Sequence, residues 1–460
     1  MEGQTCRLIL AMFCFLHQAS SIETSGVPEE NPAKEMIQVG LVFSMNSSVD
    51  KVVESCISMA CSDFYDAHPD YHTRLSLLIR DPKDDVVDAA SAVLDLMENE
   101  EVHAILGPKW SSQAKFVIDL GEKAQVPIIS FSATSPSLSP TQSHYFVRTA
   151  YDDSSQVGAL AAVVQAYGWR EITLVYEDTE YGNGLVPYLV DAFQEVDARI
   201  SYRSVIPLFT ENIDIVKELN NLLTRQTRVF LVHMTAGIGS RFFALARDAG
   251  MMSEEFAWIV TDGLSSLLDP FISKSLDSMQ GVLGVRPHVP LSESRRNFEE
   301  RWRKLYAERN PHDEIADLSL FGLWAYDTVT ALALAERWHG ILQRLSPELN
   351  LSRREVYKAS ANDLKPPTWP GETLKPPKGW VMPISGKKLR IGVPKKDGFD
   401  EFFKIEWDPH TGVPSYSGFA HDMFMAVLDT LPFAIPYKYI PYMNESRQSA
   451  GTYDDMLFEI

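Results

Sequence analysis

Hydroxyl, acidic and aromatic residues follow several apolar segments that the sequence predicts as strands. GPKWSS (107–112) and SFSATSP (130–136) each come directly after such a segment. EDTEYGNG (177–184) and TDG (261–263) do so further along the chain. A helix that starts after a strand presents unpaired backbone N–H groups and a positive dipole end, which suit a carboxylate. An acid beside an aromatic ring suits an ammonium group, so the pattern predicts a site for a small amino acid.

Each of these residues also has a purely structural interpretation. Ser111 and Ser132 are of the type that caps helices or forms turns, and Asp262 stands before Gly263 as turn residues often do. His233 ends a predicted strand, where a hydrogen-bonded core histidine is the simpler interpretation. These residues indicate a binding site because they occur together at matching strand ends.

Motifs for catalysis are missing from the sequence. It contains no G-x-S-x-G elbow, no H-E-x-x-H helix and no Walker loop, and GNG (182–184) lacks the third glycine of a dinucleotide fingerprint. The 11 histidines form no cluster with metal-ligand spacing. We therefore expect a binding protein that is not an enzyme, with no cofactor and no metal.

Strand-like and helix-like segments alternate from Ile37 onward, which predicts parallel sheets covered by helices on both faces. Two such series follow one another, so we expect two doubly wound parallel-sheet lobes in a bilobed α/β fold. Ligands of such sheets bind at the carboxyl ends of the strands, and a cleft between the lobes is the expected place. The predicted strands are 37–43, 74–81, 102–107, 126–131, 171–177, 228–234 and 256–262, and the predicted helices are 49–67, 86–98, 111–124, 154–167, 181–196, 295–309 and 318–338.

The character of the chain changes after Gly340. Residues 345–387 are rich in proline and polar residues, which predicts an extended linker. A strand at 388–394, a helix within 417–431 and a strand at 437–442 follow, and they predict an incomplete second α/β domain over 388–460. The ligand-binding domain itself is expected over 35–344.

The first residues read as a secretory signal peptide over 1–21, because Arg7 precedes a short apolar run and small residues at 19–21. Three N-x-S/T sequons, at Asn46, Asn350 and Asn444, agree with that route and are the predicted glycosylation sites. Cys56 and Cys61 lie on different faces of one predicted helix, so no disulfide between them is expected. The net charge of −20 argues against nucleic acid as a partner.

The stretches VHAILGPKWSSQAKFVIDLGEKAQVPIISFSATSPSLS and YFVRTAYDDSSQVGALAAVVQAYGWREITLVYEDTEYGNG resemble the amino-terminal domain of plant glutamate receptor-like proteins. That domain is similar to leucine/isoleucine/valine-binding proteins, which have the type I periplasmic-binding fold. The segments WPGETLKPPKGW and YSGFAHDMFMAVLDTLPFAIPYKYIPY resemble the start of the family's amino-acid-binding domain. The resemblance implies seven ligand contacts: Ser111, Ser112, Ser132, Ala133, Thr134, Tyr181 and Asp262.

The resemblance also implies what the protein does. The expectation is the extracellular sensing portion of a ligand-gated cation channel subunit that pairs with other glutamate receptor-like subunits. Compared with the family pattern, residues 340–369 are shortened and the sequence stops before the pore, so we expect no channel activity from this chain alone. We expect it at the membrane within a full-length receptor, or soluble or lumenal if made as it stands. The alternative is a secreted amino-acid binder or decoy without signalling.

Dimerisation through the first lobe is a further expectation. The related ectodomains pair there, and Phe64, Phe116 and Val117 are apolar positions on helices near the start of the chain.

Overall fold

The computed structural model describes residues 34–44, 47–139, 143–266, 277–312, 317–335, 367–382, 388–395, 400–408, 412–444 and 446–459. The predicted signal peptide, Asn46, Asn350 and much of the predicted linker lie outside the described residues.

The first stretch of the chain builds a five-stranded parallel sheet in the order β2-β1-β3-β4-β5. The central strands of this sheet are apolar runs that are largely buried on both faces, as parallel sheets covered by helices require, whereas the edge strand Thr73–Arg80 is only half-buried. A capping box at Ser47 starts the first helix, because its side chain accepts from Asp50 N while the Asp50 carboxylate accepts from Ser47 N. The elements are β1 (Glu35–Val42), α1 (Ser48–Ala67), β2 (Thr73–Arg80), α2 (Val86–Glu98), β3 (Ala104–Leu106), α3 (Ser111–Ala124), β4 (Ile128–Ser130) and β5 (Phe146–Arg148).

The second stretch repeats this architecture, after a 3-10 turn at Asp153–Gln156. Its sheet is also five-stranded and parallel, in the order β10-β9-β8-β6-β7. The elements are α4 (Val157–Ala166), β6 (Glu171–Glu177), α5 (Glu180–Glu195), β7 (Arg199–Ile206), α6 (Asn212–Leu223), β8 (Val229–His233), α7 (Ala236–Asp248), β9 (Ala257–Val260), α8 (Asp262–Ser265) and β10 (Leu283–Gly284).

Two long helices come next, α9 (Glu293–Arg309) and α10 (Leu320–Ala335). Both pack on α1, and the described residues divide into two compact units. Up to Asp152 and from Arg286 to Ala335 they form the first unit. Residues 153–285 and the described residues from 367 onward form the second unit. The first unit therefore takes two helices of its sheet's covering layer from a distant part of the chain.

Both sheets have the same topology when each is numbered from its own first strand. The order 2-1-3-4-5 reverses its winding direction between the first and third strands of the series. In the first unit this switch lies between β1 and β3, and in the second between β6 and β8. Ligands of open α/β sheets bind outside the carboxyl ends of the strands at such a point, so the topology marks one edge of each sheet as the candidate site.

The last part of the chain holds β11 (Leu389–Pro394), β12 (Lys404–Trp407), β13 (Pro414–Ser417), α11 (Phe419–Thr430), β14 (Tyr437–Tyr442) and α12 (Tyr453–Glu459). β11 and β14 pair in parallel and β12 and β13 in antiparallel. Val393, Ile405 and Tyr439 form its small core. α11 buries no residue and exposes Phe419 and Met423.

The side chains proposed for dimerisation differ from expectation. Phe64 and Val117 are both buried in the core of the first unit, at 4% and 0% exposure, and only Phe116 is exposed. Two of the three positions therefore cannot form a surface, because Phe64 packs against Tyr71 and Ala333 and Val117 lies in a larger core cluster of the same unit. Cys56 and Cys61 are both free, as predicted, and burial raises their pKa values to about 12 and about 11.

Candidate functional site

Glu177 is the last residue of β6, at the switch point of the second unit. Its carboxylate is 1% exposed and accepts from both the backbone N–H (2.7 Å) and the hydroxyl (2.8 Å) of Thr235 through Oε2. Its Oε1 accepts from the Thr179 hydroxyl at 2.8 Å. Thr179 and Thr235 are the N-cap residues of α5 and α7. One buried carboxylate therefore joins the starts of two helices, where the helix dipoles favour a negative charge.

His233 ends β8 and connects two loops of the same edge. Its Nε2 lies 3.1 Å from the carbonyl oxygen of Tyr181, and its Nδ1 lies 2.8 Å from the hydroxyl of Thr261. A carbonyl only accepts, so Nε2 carries the proton of the neutral ring and Nδ1 accepts from Thr261. Burial lowers the pKa of His233 to about 4. The neutral imidazole thus holds the start of α5 against the turn after β9.

Tyr181 lies in the first turn of α5, with its ring 4.2 Å from the His233 ring. Its hydroxyl reaches the turn after β9, since a β-carbon added to Gly263 would lie 2.1 Å from the phenol oxygen. Burial raises the pKa of Tyr181 well above its usual value, and the nearby carboxylates of Asp153 and Glu177 raise it further. The phenol is therefore held in its protonated, neutral form.

Asp262 follows β9 and is 7% exposed. Its backbone N–H donates to the Gln156 side chain at 2.8 Å, and its Oδ1 accepts from the Ser266 hydroxyl. Gln156 in turn donates to Asp153 Oδ1 at 3.1 Å, and Asp153 is also buried. Hydrogen bonds of the Gln156 side chain therefore join the turn at 153–156 to Asp262, which lies more than 100 residues further along the chain.

This edge concentrates negative charge where little water reaches it. Asp153, Glu177 and Asp262 all act electrostatically on the Tyr181 phenol. Buried carboxylates of this kind attract a cationic group and give it charge-assisted hydrogen bonds. The arrangement suits an ammonium group, with an aromatic ring beside it.

Two loops meet at the matching edge of the first unit. The Ser130 hydroxyl donates to Pro108 O (3.3 Å) and the Ser132 hydroxyl to Lys109 O (3.2 Å). The Ser111 hydroxyl accepts from the backbone N–H of Ser135 at 3.2 Å. Hydrogen bonds of the Ser111 and Ser132 hydroxyls therefore hold the loop at 107–112 against the loop at 130–136.

The N-terminus of α3 has an uncommon cap. Trp110 occupies the cap position and makes no side-chain cap hydrogen bond. Its indole N–H donates instead to Asp84 Oδ1 at 2.8 Å. The first backbone N–H groups of α3, at Ser111 and Ser112, thus receive no hydrogen bond from the cap side chain. Such N–H groups can donate hydrogen bonds to a carboxylate.

The seven predicted ligand contacts fall into two groups. Tyr181 and Asp262 come together at one edge of the second unit. Ala133 and Thr134 are buried, and Ser112 and Ser132 half-buried, on the two loops at the edge of the first unit, where Ser111 opens α3. A cleft between the two groups remains a prediction.

Asn444 is the one predicted glycosylation site within the described residues. It is exposed, and its side-chain oxygen accepts from Gln448 N at 3.0 Å.

Glu177, Asp153 and His233 were not among the predicted ligand contacts. The signal for Glu177 was an acid at the end of an otherwise buried apolar strand, which is costly unless the acid is hydrogen-bonded. Asp153 carried no such signal.

Two features are absent from the described residues. No helix among them combines the length and apolar composition that crossing a bilayer requires. In the same parts of the chain, no group of three or more His, Cys, Asp or Glu side chains is arranged to hold a metal ion.

Mild acid is expected to destabilise the second unit through His233. The folded-state pKa lies near 4, below the ordinary 6.5, so the unfolded chain takes up the proton first. The stability contributed by the neutral ring is complete above pH 6.5 and is lost as the pH falls towards 4. Between pH 7 and pH 5 the loss amounts to about 2 kcal/mol.

Urea unfolding at the two pH values measures this, with His233→Gln as the comparison. The variant keeps hydrogen-bonding capacity without a titrating ring, so its stability should change about 2 kcal/mol less over that interval. Equal pH dependence in both proteins would contradict the assignment.

The chain matches the model of one protein family, the receptor family ligand binding region, over residues 52–340. It is 37% identical to Glutamate receptor 2.7 of Arabidopsis thaliana, over 92% of this chain and 52% of that protein. It is 35% identical to Glutamate receptor 2.3 of the same plant, over 99% of this chain and 58% of that protein. The chain therefore spans little more than half the length of these relatives.

Solved structures show the same fold at low sequence identity. A leucine-binding protein from Thermotoga maritima aligns with a TM-score of 0.53 and 19% identity, covering 65% of this chain and 83% of that one. A transporter substrate-binding protein from Desulfitobacterium hafniense, in complex with Leu, aligns with a TM-score of 0.53 and 18% identity, covering 67% and 86%. The predicted type I periplasmic-binding fold with parallel-sheet α/β lobes is thus confirmed. Because the family model matches residues 52–340 and the relatives match nearly the whole chain, the chain belongs to the receptor family with this ligand-binding region, among the glutamate receptor-like proteins of plants.

Proposed function

We propose that this chain is the extracellular ligand-sensing portion of a glutamate receptor-like cation channel subunit, and that it binds a small amino acid without transforming it. The observation that carries the proposal is the acidic edge of the second unit, where Tyr181 lies among the carboxylates of Asp153, Glu177 and Asp262. That edge receives the ammonium group. The edge of the first unit, with the uncapped start of α3, supplies carboxylate contacts.

The relatives and the structural neighbours support this choice of ligand. The Arabidopsis proteins are named glutamate receptors, and the Desulfitobacterium hafniense protein was solved with Leu. In the proposed role the chain reaches the extracellular face through the secretory pathway and works beside other receptor subunits.

Calorimetry of the whole secreted chain against a panel of free amino acids tests the proposal. Saturable heat with at least one amino acid, lost with its N-acetyl derivative, is the expected result, because acetylation removes the ammonium charge that the acidic edge holds. No heat with any amino acid, or equal affinity for the acetylated form, would overturn it.

Asp262→Asn should weaken that binding by about 10- to 100-fold, since a hydrogen bond to a charged group is worth about 1.5–3 kcal/mol. The substitution keeps the size of the side chain and removes its charge. Asp248→Asn is the matched control, because Asp248 ends α7 with its side chain 70% exposed. Equal affinities of the two variants would remove Asp262 from the site.

A further inference from the structure

Residues 367–382, here called the shared segment, lie inside the part of the chain that composition predicts as an extended linker. The segment runs between residues 153–285, here called the sheet domain, and residues 388–459, here called the C-terminal module. All three belong to the second unit.

One backbone edge of the shared segment is bonded to the sheet domain. Gly379 O accepts from Arg228 N at 2.9 Å, and Val381 N donates to Gln226 O at 3.0 Å. Thr227 and Trp380 form an antiparallel bridge between these two bonds. The segment therefore pairs with the residues that lead into β8.

The opposite backbone edge is bonded to the C-terminal module. Trp380 O accepts from Ala434 N at 2.8 Å, and Met382 N donates to Ala434 O at 2.9 Å. The Trp380 ring also meets the Phe433 ring edge-on at 5.5 Å. Successive residues of an extended chain point their bonding groups to opposite sides, so the backbone from the Gly379 carbonyl to Met382 is bridged to the sheet domain on one side and to the C-terminal module on the other.

Side-chain packing anchors the segment on the sheet domain. Trp369 is 1% exposed and packs edge-on against Tyr167 (5.0 Å) and Trp169 (5.6 Å). The Trp169 indole N–H donates to Pro377 O at 2.9 Å. Burial of an aromatic ring of this size stabilises a contact by several kcal/mol.

Glycines make the contact close. Gly379 has φ +78°, and a β-carbon there would lie 2.6 Å from Trp169 Cδ1. Gly281 of the sheet domain has φ +84°, and a β-carbon there would lie 2.4 Å from Pro370 N. At Gly281 two backbones touch, and at Gly379 the backbone touches the Trp169 ring, where a side chain on either glycine would separate them.

Two lysines of the segment attach to the end of α11 in the C-terminal module. Lys378 Nζ donates to the carbonyl oxygens of Leu431, at 2.7 Å, and of Leu428. Lys375 forms an ion pair with Asp429 at 2.9 Å. A cation at a helix C-terminus satisfies unpaired carbonyls and complements the dipole.

We propose that the shared segment is a rigid coupling, through which the sheet domain and the C-terminal module move as one body. The physical reason is that residues 379–382 are hydrogen-bonded alternately to the sheet domain, through Gly379 and Val381, and to the C-terminal module, through Trp380 and Met382. Neither body can turn against the other without breaking backbone hydrogen bonds or withdrawing Trp369 from its aromatic neighbours. A displacement of the sheet domain is therefore passed to the C-terminal module with its direction preserved.

Hydrogen exchange on the whole chain tests the coupling without any ligand. The amides of Arg228, Val381, Met382 and Ala434 should exchange together and at least about 100-fold more slowly than an unstructured peptide, as amides of one cooperative unit do. Exchange of these four amides at the rate of a free peptide would overturn the proposal.

Gly379→Ala supplies the second measurement, with Gly412→Ala as its matched control. Both glycines have positive φ, but nothing lies within 4 Å of a β-carbon at Gly412. The left-handed backbone strain is therefore similar in both variants, and only Gly379→Ala forces the segment from Trp169. Protection of the four amides should fall at least about tenfold in Gly379→Ala and stay unchanged in Gly412→Ala. Equal protection in the two variants would overturn the coupling.

Discussion

Gly182→Ala is expected to lower the free energy of unfolding by about 3 kcal/mol and to weaken amino-acid binding at least about tenfold. Gly182 stands in the first turn of α5, and a β-carbon there would lie 1.9 Å from the carbonyl oxygen of Glu177 and 2.9 Å from its carbonyl carbon. A backbone oxygen cannot turn away as a side chain can, so the start of α5 must move off the end of β6. That movement displaces Tyr181, the neighbouring residue.

Gly237→Ala is the matched control for this substitution. Gly237 also lies in the first turn of a helix that follows a strand of the same sheet, and a β-carbon there meets nothing within 4 Å. Alanine should leave the fold unchanged or stabilise it by about 0.4–1 kcal/mol, because it restricts the unfolded chain. Urea unfolding and calorimetry of both variants make the comparison. Similar stabilities for Gly182→Ala and Gly237→Ala would mean that α5 does not contact β6 as closely as described.

Trp302→Ala should destabilise the first unit by about 3–5 kcal/mol, the usual loss for a buried large aromatic ring. Trp302 is 0% exposed and lies with Tyr306 on α9, where it contacts the core formed with α1. Its indole N–H donates to the Ser55 hydroxyl at 2.8 Å. Trp302 and Tyr306 are the only fully buried side chains of α9 within its described residues, so the packing of this helix on α1 depends strongly on them.

Two further substitutions separate packing from other effects. Trp302→Phe keeps an aromatic ring and loses the hydrogen bond to Ser55, so its loss should be clearly smaller than that of the alanine variant. Lys304→Ala changes an exposed residue of the same helix and should stay within about 0.5 kcal/mol of the parent. Thermal unfolding of the three proteins gives the order. If Trp302→Ala were as stable as Lys304→Ala, α9 would not be packed on α1 through this ring.

The sequence predicts those elements best whose local pattern agrees with their environment. Predicted and observed bounds coincide for α2, α3 and β6. The capping residue Asp85 marks the start of α2, and β6 is a buried apolar run. β7, α6 and α7 were not predicted. β7 is an edge strand in which buried and exposed residues alternate, so it lacks the continuous apolar run of a central parallel strand.

Within the candidate site, the sequence alone determined which strand ends are polar, because local patterning places hydroxyls and acids just after apolar runs. Only the tertiary structure decided their partners. Glu177 is hydrogen-bonded to Thr235, which lies 58 residues further along the chain, and Asp262 is hydrogen-bonded to Gln156, which lies 106 residues earlier. Residues 367–382 show the same division, since their prolines and polar residues by themselves predict an extended linker. Backbone pairing of residues 379–382 on both edges and the burial of Trp369 hold this segment in place, because hydrogen bonds and apolar burial supplied by distant segments outweigh the backbone freedom that local composition gives.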